Sequence, residues 1–116
     1  MNKEVSFPLA KLLKEKGQNI ISSKLMYASN GKLTDAIYDF DDWCFAPTIA
    51  EVIDWLYEKH GVWISVLHKR RSENKYFDYE IKLPNGMEIY SWDHNSPIEA
   101  GEAAIDYTLN NLINKS

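Results

Sequence analysis

The sequence predicts an α+β protein in which three helices pack on one side of an antiparallel sheet. Two kinds of pattern support this prediction. Three segments combine a helix cap with apolar residues at helical spacing, and the runs between them are short, partly alternating and joined by Asn-Gly turns. The predicted order is helix, hairpin, helix, three-stranded meander, helix, which favours helices on one face of an antiparallel sheet.

The first helix is predicted to begin after Ser6, which can cap it, and to end at Gly17. The leucines on its apolar face are Leu9, Leu12 and Leu13. A hairpin follows, with strands over about 24–28 and 33–40. Its turn contains Asn30-Gly31, and Asn-Gly is the strongest short hairpin signal.

The second helix has a clear start and a clear stop in the sequence. Thr48 and Glu51 have the spacing of a capping box, and Gly61 stands where a left-handed residue ends a helix. The apolar stripe consists of Ile49, Val52, Ile53 and Leu56. The carboxylates lie away from this stripe, so we expect a scaffold helix, with Trp55 at the border of the stripe.

The meander is predicted to have strands over 62–68 and 76–83, joined by a basic loop over 69–75. The next connection is predicted as a three-residue loop, with Pro84 and Asn85 in a type I turn and Gly86 in the left-handed region. This loop pairs Leu83 with Met87, Lys82 with Glu88, and Ile81 with Ile89.

The last helix carries three start signals, namely Ser96 as the cap, Pro97 in the first helical position and Glu99 three residues after the cap. We expect it to run to about Asn114, with Gly101 and Ala104 close to the sheet. Its predicted core stripe is Ile98, Ile105, Leu109, Leu112 and Ile113.

The composition limits the classes of protein that are possible. A chain of 116 residues fits a single domain over 1–116, and its net charge of −4 disfavours indiscriminate binding to phosphate backbones. With one cysteine, no intramolecular disulfide can form, and the sequence has no secretory signal pattern. No apolar run approaches the length of a membrane span. We therefore expect a cytoplasmic protein that does not insert into membranes.

Catalysis and metal binding have no positive support in the sequence. His60, His68 and His94 belong to three different predicted elements, and Cys44 has no nearby base. Three nearby aspartates, Asp39, Asp41 and Asp42, lack the glycine and the terminal glutamate of a calcium loop. We predict no catalytic residues, no metal site and no cofactor, and an enzyme ranks third among the functional hypotheses.

The best binding signal is an aromatic outer face of the predicted sheet beside a basic loop. The candidate residues are Lys69, Arg70, Arg71, Lys75, Tyr76, Tyr90 and Trp92. One hypothesis is that the aromatic side chains anchor a protein partner or a homodimer. The alternative is weak nucleic-acid binding, in which the aromatics stack on bases and the basic loop holds phosphates. A third reading is that these aromatic pairs only stabilise the sheet.

The predicted order of elements is similar to that of one known class of domain. The order from Thr48 onward matches that of double-stranded-RNA-binding domains, but such domains open their last helix with lysines, whereas this one opens with Ser96-Pro97-Ile98-Glu99. The likeness is therefore taken as topological.

The chain also resembles small proteins of unknown function from phage, prophage and mobile-element regions of gut Bacteroidetes. The blocks that carry this resemblance are Val5-Ser6-Phe7 with 10–17, Ala46-Pro47-Thr48 with Trp55-Leu56 and 58–62, and 96–101. The resemblance implies a cytoplasmic accessory protein and assigns no catalytic or binding residues. Members of the group usually open the last helix with a tyrosine and two glutamates, where this chain has Pro97-Ile98-Glu99.

Overall fold

The computed structural model describes residues 3–16, 25–28, 30–35, 44–71 and 74–112. These residues form three α-helices and two three-stranded antiparallel sheets, which confirms the α+β class. The helices are α1 (Phe7–Glu15), α2 (Ile49–His60) and α3 (Pro97–Tyr107). The strands are β1 (Leu25–Tyr27), β2 (Leu33–Asp35), β3 (Cys44–Phe45), β4 (Trp63–Arg71), β5 (Asn74–Lys82) and β6 (Glu88–His94).

The first sheet has β1 at its centre, between β2 and β3. The predicted hairpin is confirmed, because Tyr27 pairs with Leu33 and Gly31 has a positive φ of 84° in the turn. Strand β3 was not predicted, since two residues are too few to show an alternating pattern. The helix α1 packs against this sheet, and the Tyr27 hydroxyl donates to the Val5 carbonyl at 2.7 Å. Gly17 and the predicted end of the second strand at 36–40 lie outside the described residues.

Both ends of α2 are capped by the predicted local interactions. The Thr48 hydroxyl accepts from the Glu51 amide at 3.1 Å, and the Thr48 amide donates to the Glu51 carboxylate at 2.9 Å. At the other end Gly61 is left-handed, and the amides of Gly61 and Val62 donate back to the carbonyls of Tyr57 and Leu56. This is the Schellman pattern, and it turns the chain from α2 into β4 with two intervening residues, Gly61 and Val62.

The second sheet has the order β4, β5, β6, and its first hairpin is longer than predicted. Residues 69–71 belong to β4 and 74–76 to β5, with Arg70 paired with Lys75 and Arg71 with Asn74. The predicted basic loop over 69–75 is therefore wrong, and only residues 72–73 connect the strands. The prediction was wrong because it assigned a run of polar residues to a loop. In a hairpin whose ladder of backbone hydrogen bonds continues to its end, two residues are enough for the turn.

The connection between β5 and β6 has the predicted register. Lys82 pairs with Glu88 and Ile81 with Ile89, and Gly86 has a φ of 89°. Further along, Phe77 pairs with His94 but Tyr79 pairs with Ser91. Two residues of β6, Trp92 and Asp93, therefore stand opposite Asp78. This β-bulge, which the sequence pattern did not reveal, bends the edge strand.

The helices α2 and α3 cover one face of the second sheet, as predicted, whereas α1 packs against the first sheet. Ser96 caps α3, which continues as a π-helical turn over Thr108–Leu112, where the Thr108 hydroxyl donates to the Ala104 carbonyl at 2.8 Å. The residues beyond 112, including the predicted end at Asn114, are not described. One apolar cluster joins the three helices to both sheets through Leu9, Cys44, Leu56, Ile81 and Ile105.

Replacement of Trp55 by alanine is expected to lower the free energy of unfolding by about 2 kcal/mol, because the partly buried indole packs against the core cluster. The matched control is Tyr57→Ala in the same helix. Tyr57 is 55% exposed and touches Trp63 edge to face, so its loss should cost about 1 kcal/mol or less. Urea denaturation of both variants measures the difference, and equal losses would refute the scaffold role of Trp55.

Replacement of Gly61 by alanine is expected to destabilise the protein more than replacement of Gly86. Both glycines have positive φ, which costs an alanine about 1 to 2 kcal/mol. A Cβ at position 61 would also lie 2.9 Å from Cγ of Pro84, whereas a Cβ at position 86 meets nothing within 4 Å. In a Pro84→Ala background the cost of Gly61→Ala should fall towards that of Gly86→Ala, and a double-mutant cycle in urea tests this coupling.

Candidate functional site

The candidate site is the face of the second sheet that points away from α2 and α3. The opposite face is identified by Ile64, Tyr79 and Ile81, which are buried in the core. Because side chains alternate along a strand, the residues between them occupy the other side. We call this side the outer face, and its positions are Trp63, Ser65, Leu67, Lys69 and Arg71 on β4, Asn74, Tyr76, Asp78, Glu80 and Lys82 on β5, and Glu88, Tyr90 and Trp92 on β6.

Two large aromatic side chains on β6 are open to solvent. Trp92 is 60% exposed and Tyr90 is 50% exposed, and they are next neighbours on the same side of the strand. The β-bulge next to Trp92 places it beyond the regular ladder, opposite Asp78. Exposed large aromatics of this kind are enriched where proteins bind other molecules, because each can bury a large area at little entropic cost.

A hydrogen bond from the Tyr90 hydroxyl to the Glu88 carboxylate fixes the tyrosine on the outer face. The carboxylate accepts a hydrogen bond from the phenol and repels the phenolate. This interaction raises the pKa of Tyr90 to about 12. Glu80 lies in the next strand opposite Tyr90 and adds to the same effect. Tyr90 therefore presents a neutral, oriented ring at physiological pH.

The centre of the outer face is more acidic than the prediction emphasised. Glu80 has its partner Lys82 at 3.6 Å on the same strand, and Glu88 stands opposite Lys82. Asp78 also occupies a position on the outer face, but it is only 3% exposed. Its carboxylate lies where the β-bulge places two residues of β6 against one of β5. The aromatics are thus surrounded mainly by carboxylates.

The structure divides the predicted basic residues between the two sides of the hairpin. Lys69 pairs with Tyr76, and both occupy positions on the outer face together with Arg71. Arg70 and Lys75 pair with each other at positions that alternate with these, on the side of Ile64 and Tyr79. The side chains of 69–71 and 74–76 lie outside the described set. Of the seven candidates, five therefore share the outer face by register, namely Lys69, Arg71, Tyr76, Tyr90 and Trp92.

A groove at one end of the outer face was not predicted. It has a volume of about 540 Å³ and is lined by Tyr57, Gly61, Trp63, Lys82 and Leu83. Trp63 is 39% exposed, and its ring meets that of Tyr57 edge to face with centroids 5.3 Å apart. The sequence analysis assigned no role to Tyr57 or Trp63, and the tight reversal at Gly61 brings the two side chains together.

On the helix-facing side, the far end of the sheet carries stacked rings that have a structural role. His68 stacks on Phe77 with centroids 4.8 Å apart, and His94 stacks on Tyr79 at 5.4 Å. The Ser91 hydroxyl and Nε2 of His94 form a hydrogen bond of 3.1 Å next to the β-bulge. Burial raises the pKa of Tyr79, and a hydrogen bond with Ser91 partly opposes this effect. The contact of His94 with Tyr79 joins β6 to β5 where the ladder is interrupted, whereas the contact of His68 with Phe77 joins β4 to β5.

Within the described ranges, the remaining chemistry-bearing groups form no second site. Cys44 is buried, and this burial raises the pKa of its thiol although Lys14 and Lys11 act in the opposite direction. A protonated buried thiol is a poor nucleophile. In the described part of the chain, no group of three or more His, Cys, Asp or Glu residues is arranged to hold a metal ion.

Comparison of the chain with protein-family models, curated proteins and solved structures finds no match. Among the described residues, no helix has the length and apolar character needed to span a bilayer. A fold of this class does not by itself assign a function, which has to be argued from the chemistry of a site. The outer face is the surface where exposed aromatics, charges and a groove meet.

Replacement of Glu88 by glutamine is expected to lower the pKa of Tyr90 from about 12 towards its ordinary value near 10. The neutral amide removes the charged acceptor that favours the phenol. NMR titration of tyrosines labelled with ¹³C in the ring measures this change. Tyr79 is the internal control, because its pKa is raised mainly by burial and should be the same in both proteins. An unchanged Tyr90 titration would contradict the hydrogen bond to Glu88.

Proposed function

We propose that the protein is a non-catalytic binding protein that docks another protein surface on its outer face. The observation that carries this proposal is the pair Tyr90 and Trp92. They are next neighbours on one side of β6, and they are 50% and 60% exposed. Tryptophan and tyrosine are the residue types that most often dominate the energy of protein interfaces, because they exclude water over a large area while keeping one polar group.

The order already present at Tyr90 favours this use. Its hydroxyl is held by Glu88, so the ring loses little conformational freedom when a partner covers it. Trp92 is placed by the β-bulge, whose geometry is supported by the stacking of His94 on Tyr79. Rigid aromatic anchors of this kind bind with a smaller entropic cost than side chains that must be ordered on contact.

The charges next to these rings favour a protein over a nucleic acid. Glu80 and Glu88 lie beside Tyr90, where a phosphate backbone would be repelled. The basic residues Arg70 and Lys75, which the alternative hypothesis needs, occupy positions on the other side of the hairpin from Lys69 and Arg71.

Site-specific photocrosslinking in cells of the natural source tests the proposal. A photoreactive phenylalanine derivative at position 92 keeps an aromatic ring on the outer face, and the same group at Glu58 is the matched control on the exposed side of α2. We expect protein adducts at position 92 in clear excess over position 58. Addition of Tyr90→Ala should reduce the yield, because it removes the neighbouring anchor.

Two results would contradict the proposed function. Equal yields of protein adducts at positions 92 and 58 would show that the outer face has no preferred partner. Adducts at position 92 that disappear on nuclease treatment would favour the nucleic-acid alternative instead. In that case binding of labelled oligonucleotides should weaken steeply with salt, because phosphate contacts release counterions.

A further inference from the structure

We infer that two copies of this chain pair through the free edge of strand β4, so that their second sheets form one continuous six-stranded sheet. The second copy lies beside the sheet and not on its outer face. This inference therefore goes beyond the proposed function and does not depend on it. It is carried by the backbone of β4, whose outward hydrogen-bonding groups have no partner within the described chain.

The register of the hairpin formed by β4 and β5 decides which backbone groups of β4 point outward. Arg71 and Asn74 close the hairpin around the connecting residues 72–73, so their N–H and C=O groups bond to each other. In an antiparallel ladder such pairs alternate with pairs that share no hydrogen bonds, so the backbone of Ser65 and Leu67 also bonds to β5. The residues whose N–H and C=O groups point away from β5 are Ile64, Val66 and His68.

The outward groups form a regular row at one edge of the second sheet. Among the described residues, no neighbouring strand and no loop supplies hydrogen bonds to Val66 or His68 from this side. Val66 is half-buried and His68 is exposed, so this edge lies at the surface. Successive outward residues are about 7 Å apart, which is the repeat of an extended chain. Another extended strand offers its own donors and acceptors at the same spacing.

The two edges of the second sheet differ in the features that protect an edge from pairing. β6 has seven residues and carries the β-bulge opposite Asp78, which interrupts its ladder. β4 has nine residues in an unbroken ladder, and residues 63–68 include no Pro, Gly, Asp, Glu, Lys or Arg. Charged residues of the kind that block pairing occupy only positions 69–71 of this strand. The first part of β4 is thus an unprotected edge.

Strand β4 of a second copy is the occupant that pairs most readily with this edge. A two-fold axis at Val66 places this residue opposite its own counterpart, and Ile64 opposite His68 of the other copy. All three outward residues then exchange hydrogen bonds in both directions, and the charged positions 69–71 stay outside these pairs. Both strands are already extended and held by β5, whereas a flexible peptide would first have to lose conformational freedom.

The association should depend on concentration, because one short edge buries a small area. Sedimentation equilibrium from about 10 µM to about 1 mM covers the affinities expected of such an interface. For the wild type we expect the mean mass to rise from that of one chain towards that of two. Over the same range, amide hydrogen exchange followed by NMR should slow severalfold at Val66 and His68, whose N–H groups become bonded. The amides of Ser65 and Leu67 already bond to β5 and should not change.

Replacement of Val66 by proline tests the role of the backbone, because it removes an N–H that β5 does not use. Proline is tolerated at such positions of an edge strand, so we expect Val66→Pro to keep the fold and to stay monomeric up to about 1 mM. The matched control Val66→Thr keeps the N–H and the branched side chain, and it should dimerise like the wild type. Urea denaturation checks that both variants are folded.

Charge substitutions at position 66 test the two-fold axis. In V66K or V66E alone, like charges face each other across the axis, and each variant should dimerise at least about fivefold more weakly than the wild type. An equimolar mixture of the two should restore the dimer, because opposite charges then meet. The same changes at Ser65 are the control. Ser65 faces Leu67 of the other copy under this axis, so S65K and S65E should not associate more tightly when they are mixed.

Three results would each overturn the inference: a wild type that stays monomeric, a Val66→Pro variant that dimerises like Val66→Thr, or a mixture of V66K and V66E that associates no better than either alone. Restoration on mixing also excludes misfolding as the cause of weak association. A dimer that is lost in Trp92→Ala but kept in Val66→Pro would place the second copy on the outer face and refute the edge pairing. The photocrosslink at position 92 tests the proposed function separately, because β6 lies at the opposite edge of the sheet from β4.

Discussion

The reversal of the chain at Gly61 is the constraint on which the arrangement of helices and sheet depends. The left-handed glycine allows α2 to end and β4 to begin within two residues, and Val62 then contributes to the same core as Leu56. Pro84, from the connection between β5 and β6, packs so closely on Gly61 that no side chain fits between them. One short contact therefore locks the end of the helix to the turn of the sheet. This contact fixes the end of α2 beside the face of the second sheet that α2 and α3 cover.

The parts of the fold that could be predicted from the sequence are those decided by neighbouring residues. The capping box at Thr48, the cap at Ser96 and the turn at Gly86 each depend on a few adjacent side chains and backbone angles, and each is confirmed. The parts that could not be predicted depend on a pairing partner distant in sequence. Strand β3 exists because β1 offers it a free edge, and β4 and β5 continue through their charged residues because each supplies the other with hydrogen bonds.

The same distinction applies to the candidate site. Tyr90 and Trp92 were placed on the outer face from the turn register alone, because alternation carries the register along the strand. The division of the basic residues between two sides could not be foreseen while 69–75 was taken as a loop, since a loop has no alternation. The β-bulge opposite Asp78 also leaves no signature in the composition of either strand.

Exposed aromatics on a sheet raise a physical problem, because they favour any apolar contact and not only the correct one. The carboxylates around Tyr90 limit this promiscuity, since a partner must satisfy or avoid their charge as it covers the rings. The aromatics can supply the energy of association, and the charges can supply its orientation and its selectivity. Tyr90 takes part in both, because the hydrogen bond that fixes its ring is made to one of those carboxylates.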